Sequence, residues 1–433
     1  MTWAPSARAI TVALVRGRGI ATLAPPFASL AIVAVALAVG ALAHADARRA
    51  GPTVSVSRET PARTPLGEWA TVAWNVRAGS NDVRGLVFAE QLPAHVPSRG
   101  ASGHVRLPAG GVDRRVGAVR PMLRGVLRLE PTAGRVLGPW GLGWRCVHWG
   151  PPQEIRVDPP VDALRALSLD TQRTRWSGGA TRRLRGIGSE FESLRDYRPD
   201  DDSRWIDWKA SARRRKWTSR EYQVDEHRSV VFLIDTGRMM TSEDGERSKL
   251  DHALGAALAL AHVAMRRGDY VGLCAFDRRV SAELKPGRGT KHAVRVHDAL
   301  ARLAPSLVEP DYERAFAQVS RRVRKRSLML VFTDLVDERV SEALIRATAR
   351  ASQRHVVVVI TLTDRDLLER VARHPETELD AYECAVAADA LLLRDAAITR
   401  LRSSGVRVVD APADRLAAGA VETYLRVRSE NRV

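Results

Sequence analysis

The sequence predicts a multi-domain chain: an N-terminal transmembrane segment, a β-sandwich domain of immunoglobulin-like type, and a C-terminal doubly wound α/β domain. Three observations predict it. An uncharged stretch runs over 19–45, apolar and polar residues alternate within short runs over 50–160, and beyond 228 apolar strands ending in acids alternate with helical segments. At 433 residues the chain has room for two or three domains.

The anchor comes first. Residues 27–43 are almost wholly Ala, Val, Leu and Ile, and about 20 such residues cross the hydrocarbon core of a bilayer. The span is placed at about 27–45 within an anchor region 1–49, with Asp46, Arg48 and Arg49 as its stop. Ala43-His44-Ala45 also fits a signal-peptide cleavage site, but the arginine-bearing stretch ahead of the apolar core is long for a cleaved leader. Arg8, Arg16 and Arg18 flank one side, and Arg48, Arg49, Arg58 and Arg63 the other, so the positive-inside rule finds little bias. A re-entrant or second weak helix around 9–24 would put both flanks in the cytoplasm. The expected location is the cell (inner) membrane, with the C-terminal bulk cytoplasmic.

Residues 50–160 read as β structure. Thr53-Val54-Ser55-Val56-Ser57 and Ala70-Thr71-Val72-Ala73-Trp74-Asn75-Val76 alternate, and 83–88, 125–129 and 154–157 are further strands between Gly, Pro and Asn-Asp punctuation. An antiparallel sandwich is the simplest architecture. The Trp-rich stretch 140–149 reads as its core plug, or else as a ligand platform.

Residues 161–227 change texture. A polar, basic linker carries Arg173, Arg175, Arg182, Arg183 and Arg185. A dense segment follows, with Gly188, Glu190, Phe191, Arg195, Tyr197, Asp201, Asp202, Arg204, Ile206, Asp207, Trp208, Lys209, Ala210, Ser211, Ala212 and Arg213. Arginine pairs with carboxylates and stacks on aromatic rings, so these residues suit an ion-pair and stacking network or a docking surface. The run resembles the signature of a membrane-associated bacterial family, domain of unknown function 58, departing from it at Asp200 where that family usually has Gly. The resemblance extends over nearly the whole chain. It implies partners among MoxR-type AAA+ ATPases and other membrane proteins with von Willebrand A-type domains, and the anchor, spacer and A-type layout gives a non-enzymatic adaptor as the expected function.

Residues 228–425 give the α/β domain. Ser229-Val230-Val231-Phe232-Leu233-Ile234-Asp235 and Ser327-Leu328-Met329-Leu330-Val331-Phe332-Thr333-Asp334 read as buried parallel strands ending in acids. Strands at 270–276, 355–362 and 406–409 alternate with helices at 250–266, 291–303, 312–323, 342–353 and 391–403. Two acids at neighbouring strand ends suggest a hard divalent cation. The domain resembles the von Willebrand A family, whose metal site uses Asp-x-Ser-x-Ser, a loop Thr and a later Asp. Here Asp235, Thr333 and Asp334 match. Gly237 and Met239 replace the serines, and Glu309, Pro310 and Asp311 stand where the Thr belongs. Thr290 substitutes only with a slipped alignment. A weak Mg²⁺ site or a metal-free pair neutralised by Arg238 are the two outcomes.

The formal charge of +18 implies anionic neighbours, so a nucleic-acid or anionic-lipid surface binder is the alternative function. Arg213, Arg214, Arg215 and Lys216 with Trp205, Trp208 and Trp217 resemble a single-strand binder, but the interleaved Asp196, Asp200, Asp201, Asp202 and Asp207 would repel a phosphate backbone. Cys146, Cys274 and Cys384 form neither a disulfide framework nor a zinc pattern, and Cys274 reads as a buried structural thiol. Serine-hydrolase, phosphate-loop and zinc-protease motifs are absent, and His252 and His262 are not at ligand spacing, so no catalytic residue is expected.

Overall fold

The computed structural model describes residues 3–5, 25–50, 54–166, 190–197, 206–223, 228–335 and 338–430. They divide into two compact units, Met1–Pro159 and Pro160–Val433.

The first unit begins with β1 (Trp3–Pro5) and the helix α1 (Pro25–Arg49). Its Leu30–Arg49 part has a mean hydropathy of 2.0 and is long and apolar enough to cross a membrane. Up to Leu42 no described side chain of α1 is buried; beyond it Ala43, Asp46, Ala47 and Ala50 are buried along one seam. The i, i+3, i+4, i+7 spacing places those four on one helix face. The helix therefore continues past the expected end at 45, and Asp46 packs inside the protein rather than stopping the helix in water.

Strands β2 (Val54–Glu59), β3 (Arg63–Pro65), β4 (Ala70–Ala78), β5 (Val83–Ala89), β6 (Ser98–Arg99) and β7 (Ser102–Leu107) follow. So do β8 (Val112–Val119), β9 (Gly125–Leu129), β10 (Thr132–Leu137), β11 (Gly143–Trp149) and β12 (Gln153–Asp158). They pair as a five-stranded sheet, β1-β11-β10-β5-β7, a four-stranded sheet, β2-β4-β8-β6, and a three-stranded sheet, β3-β12-β9. The third sheet departs from a simple two-sheet sandwich, and its β3–β12 pair is parallel. Pro151 and Pro152 account for the break: without N–H groups they cannot extend the ladder of β11, and pairing resumes at Gln153. The centre of the core is Trp74; of the stretch 140–149, Val147 and Trp149 pack against that core partly buried. Trp74 is fully buried against Phe88, with ring centroids 5.6 Å apart, and its Nε1 donates to Glu90 Oε2 at 3.0 Å. Trp140 is 45 % exposed.

The second unit contains β13 (Glu190–Asp196), α2 (Trp208–Arg214) and β14 (Thr218–Gln223), then β15 (Ser229–Asp235), the short pair β16 (Glu243–Asp244) and β17 (Arg247–Ser248), and α3 (Lys249–Arg266). It continues with β18 (Tyr270–Phe276), β19 (Val280–Gly287), α4 (Thr290–Ala301), α5 (Tyr312–Arg322), β20 (Leu328–Phe332), α6 (Glu338–Ser352) and β21 (Val356–Leu362). Helices α7 (Arg365–Ala372) and α8 (Glu378–Ser403), β22 (Arg407–Ala411) and α9 (Ala413–Ser429) complete it.

The main sheet has the order β19-β18-β15-β20-β21-β22, parallel except for the edge strand β19. Strand β15 feeds two cores. Val230, Phe232 and Ile234 pack in one cluster with Leu254 and Leu260 of α3 and Tyr424 of α9. Val231 and Leu233 pack in the other with Phe316 of α5, Leu344 of α6 and Leu401 of α8. Burial on both faces is why the strand is apolar throughout and not alternating. The layering is that of a doubly wound α/β fold. Within the α/β domain, β19, α7, the first half of α8, α9 and the short pair β16–β17 lie outside the sequence expectation. Pro286 within β19 is tolerated because the strand is at the edge. The first half of α8 exposes Leu379 and Tyr382, so it lacks a one-sided apolar stripe to read.

Candidate functional site

Asp235 closes β15 and Thr333-Asp334 follow β20, its neighbour in the sheet, so the three expected residues meet at the carboxyl ends of the strands. All three are buried. They do not, however, face one another across a common ligand.

Asp235 forms one closed group. Its Oδ1 accepts from the Gly237 N–H at 2.7 Å, and its Oδ2 lies 2.7 Å from Thr333 Oγ1 and 2.9 Å from Tyr312 Oη. The two hydroxyls also touch each other, at 2.7 Å. Three oxygens thus make three contacts with only two hydroxyl protons, and below the Asp235 pKa a proton on the carboxyl supplies the third. Burial drives the Asp235 pKa up to about 6, against the opposing pull of its hydrogen bonds from Thr333, Gly237 and Tyr312; the nearby Asp334 charge adds to the rise. Burial likewise pushes the Tyr312 phenol well above its ordinary value, with the Asp235 charge adding to it. Tyr312, the first residue of α5, supplies a hydroxyl from the place where a loop Thr was sought. Thr290 instead opens α4 and is not among the partners of Asp235.

Asp334 belongs to a second group. Lys249 Nζ lies 2.7 Å from its Oδ2, and Arg394 Nη1 lies 2.8 Å from its Oδ1. Its Oδ1 also accepts the Leu335 N–H at 2.8 Å. Lys249 reaches on to Asp364 at 2.8 Å, and Arg394 to Asp410 at 2.7 Å, Thr361 Oγ1 at 3.1 Å and the Leu362 carbonyl at 2.8 Å. Local sequence places Lys249 and Asp364 at helix starts. Ser248 and Asp251 form a capping box that starts α3 at Lys249, and Asp364 is the N-cap of α7, accepting the Leu367 N–H. Burial alone would lower the pKa of Lys249 and Arg394; their carboxylate partners reverse this and raise both. Burial works against Asp364 ionising, yet the Lys249 hydrogen bond leaves its pKa below the ordinary value.

The residues do not fit a divalent cation between Asp235 and Asp334. An ammonium already occupies the cation position on Asp334, with Lys249 only 2 % exposed. Gly237 cannot be the missing serine in this backbone. A Cβ there would lie 2.8 Å from the Val308 carbonyl and 3.0 Å from Asp235 Oδ1. Arg238, expected as the neutralising residue, pairs with Glu309 at 3.3 Å and is part-exposed. Neutralisation of Asp334 comes from Lys249 and Arg394, which no strand-end motif marks.

The signature segment folds as a hairpin with a helix between its strands. β13 and β14 pair antiparallel, Phe191 opposite Tyr222 and Arg195 opposite Ser219. Asp207 caps α2 by accepting the Ala210 N–H at 2.9 Å, and Ser211 Oγ accepts the Thr218 N–H at 3.0 Å. The Asp207 N–H also donates to the Thr218 carbonyl at 2.9 Å, so Asp207 and Ser211 together hold the helix to β14. Trp208 and Trp217 are 65 % and 58 % exposed and meet edge to face at 5.7 Å, with the Tyr197 ring 6.1 Å from Trp217. Lys209 and Arg213 are exposed on the same helix. The backbone of Glu190, Phe191 and Arg195 lies in β13; Asp201, Asp202 and Arg204 lie outside the described residues.

Uncharacterized proteins of Mycobacterium bovis and Mycobacterium tuberculosis are 25 % identical to the chain over 223 residues, covering 49 % of it and 69 % of their own length. Among solved structures, the CARDB domain of a Pyrococcus furiosus protein matches 24 % of the chain and 86 % of its own, with 14 % identity and a TM-score of 0.16. A FixG-related protein from Vibrio parahaemolyticus matches 24 % of the chain and 96 % of its own, with 10 % identity and a TM-score of 0.19. Residues 193–370, from the signature hairpin through the strand-end acids to α7, match the family described as "Protein of unknown function DUF58".

Proposed function

We propose that the chain is a membrane-anchored, non-enzymatic adaptor that docks protein partners without a metal ion, through the signature hairpin and the von Willebrand A-like domain that follows it, on the cytoplasmic side of the cell membrane. The observation that carries the reading is the exposed aromatic pair Trp208–Trp217 on the signature hairpin. A capped helix and an antiparallel strand pair hold these rings out to solvent beside Lys209 and Arg213. Tryptophan and arginine are the side chains that most often anchor protein interfaces. The strand-end acids support the metal-free part. Asp334 is ion-paired inside the protein and Asp235 is enclosed by hydroxyls, so neither offers an open coordination position. A MoxR-type AAA+ ATPase is the partner the family resemblance suggests, and other membrane proteins with A-type domains are the next candidates.

The test is affinity capture of the full chain from its native membrane, with quantitative mass spectrometry, beside a Trp208→Ala/Trp217→Ala variant. A co-purifying AAA+ ATPase that drops at least tenfold in the variant supports the reading. Equal recovery from both chains, or no stoichiometric protein partner, removes it.

A further inference from the structure

We infer that the β unit stands directly on the bilayer, with its β10–β11 loop inside the lipid headgroup layer. The inference rests on α1 spanning the membrane, and the geometry of the helix end carries it from there. From its start at Pro25 to Leu42, α1 has about 18 residues, or roughly 27 Å of helix, close to the thickness of a hydrocarbon core, and its described side chains from Leu30 to Leu42 are unburied. No linker follows. The next turns of the same continuous helix are already inside the protein, with Ala43 fully buried and Ala47 nearly so.

The attachment is specific. Asp46, fully buried, accepts three backbone N–H bonds from one loop: Trp140 at 2.8 Å, Leu142 at 2.8 Å and Gly143 at 3.1 Å. Gly143 is required there, since a Cβ would lie 2.1 Å from the Ala43 carbonyl oxygen. Asp46 is four residues beyond Leu42, or about 6 Å along a helix axis. A headgroup layer is roughly 5–8 Å thick on each side of the hydrocarbon core. The loop bound to Asp46 therefore lies at headgroup depth. Its side chains suit that depth: Trp140 is half exposed, and the Arg49 guanidinium sits over its ring at 4.6 Å. Amphipathic tryptophan and arginine are the residues that settle at membrane interfaces. The buried carboxylate thus fixes the β unit against lipid and does not let it swing on a tether.

The experiment uses the full chain in nanodiscs that contain some nickel-chelating lipid headgroups. Cys146 and Cys384 are replaced by Ser, and Cys274 is kept because it is fully buried. Single spin labels are placed at Leu42, at Trp140, and at Leu123, an exposed residue near Gly125, which pairs with Val157 at the end of β12. Dissolved oxygen should relax the Leu42 label, headgroup nickel the Trp140 label, and neither the Leu123 label. An Asp46→Ala variant should lose the nickel effect at Trp140 while keeping the oxygen effect at Leu42. A Trp140 label that behaves like Leu123, with Leu42 still oxygen-relaxed, overturns the inference but leaves the anchor intact. A Leu42 label without the oxygen signature removes the spanning helix itself, and the inference with it.

Discussion

Asp235→Asn tests the proton inside the Asp235–Tyr312–Thr333 ring. The folded pKa is about 6 against an ordinary 3.8, so the folded protein holds a proton that the unfolded chain has released over that interval. Stability from this group is complete below about pH 4 and is lost as pH rises through about 6, because over that interval only the folded state holds the proton, and above it both states are ionised. Two pKa units are worth roughly 3 kcal/mol, and full burial of Asp235 leaves little solvent screening to discount. Asparagine carries no such linkage and still fits. Its oxygen can accept the Gly237 N–H while its amide donates to the two hydroxyls. Hydrogen exchange at the amides of Ser229–Asp235, corrected for intrinsic rates, reads local stability at each pH. The expected result is that wild type loses about 3 kcal/mol relative to the variant between roughly pH 4 and pH 7. Parallel pH profiles would refute the buried proton. A variant that is several kcal/mol weaker at pH 8 would show instead that an ionised Asp235 is needed.

Further outcomes follow from other contacts. Lys249→Met should cost about 3–5 kcal/mol at neutral pH by leaving Asp334 and Asp364 short of a buried cation, and Asp364→Asn should cost less because Asp334 keeps Lys249; urea titration followed by proteolysis of the α/β unit measures both. Burial pushes the Cys274 thiol up to about 12, so maleimide at pH 7.5 should label Cys146 and Cys384 while leaving Cys274 unmodified in peptide mass spectra. Strand β1 pairs Pro5 with Gly143, beside the buried end of α1. Cysteines introduced at Ala4 and at the exposed Val112 should therefore react with an impermeant reagent from the same face of oriented vesicles, and labelling from opposite faces would contradict that pairing.

The legible parts of the sequence were those in which a local pattern carries the structure. An apolar strand ending in an acid is such a pattern, and it located Asp235, Thr333 and Asp334 at the carboxyl ends of β15 and β20. The partners that decide their chemistry lie far off in sequence. Lys249 is 85 residues from Asp334 and Arg394 is 60, each on a helix where a basic residue ordinarily faces water. Only the Ser248–Asp251 capping pattern hinted that α3 begins at Lys249, and it says nothing about where the ammonium points. Tyr312 was placed at the head of its helix, but an aromatic there reads as core. Asp46 was misread for the opposite reason. A charge after an apolar run ordinarily marks the water boundary, whereas here a loop 94 residues later supplies its N–H donors. Alternation finds the strand of Trp74 but does not say that its sheets will cover Trp74 fully while Trp140 stays half exposed.

The most direct measurement is titration of Mn²⁺ and Mg²⁺ into the full detergent-solubilised chain, with free Mn²⁺ followed by electron paramagnetic resonance and heat by calorimetry. Lys249 held between Asp334 and Asp364 should keep divalent ions out, so wild type and Asp334→Asn should both leave the free Mn²⁺ signal unchanged at stoichiometric protein. One Mn²⁺ bound per wild-type chain, and lost in Asp334→Asn, would contradict metal-free neutralisation of the site.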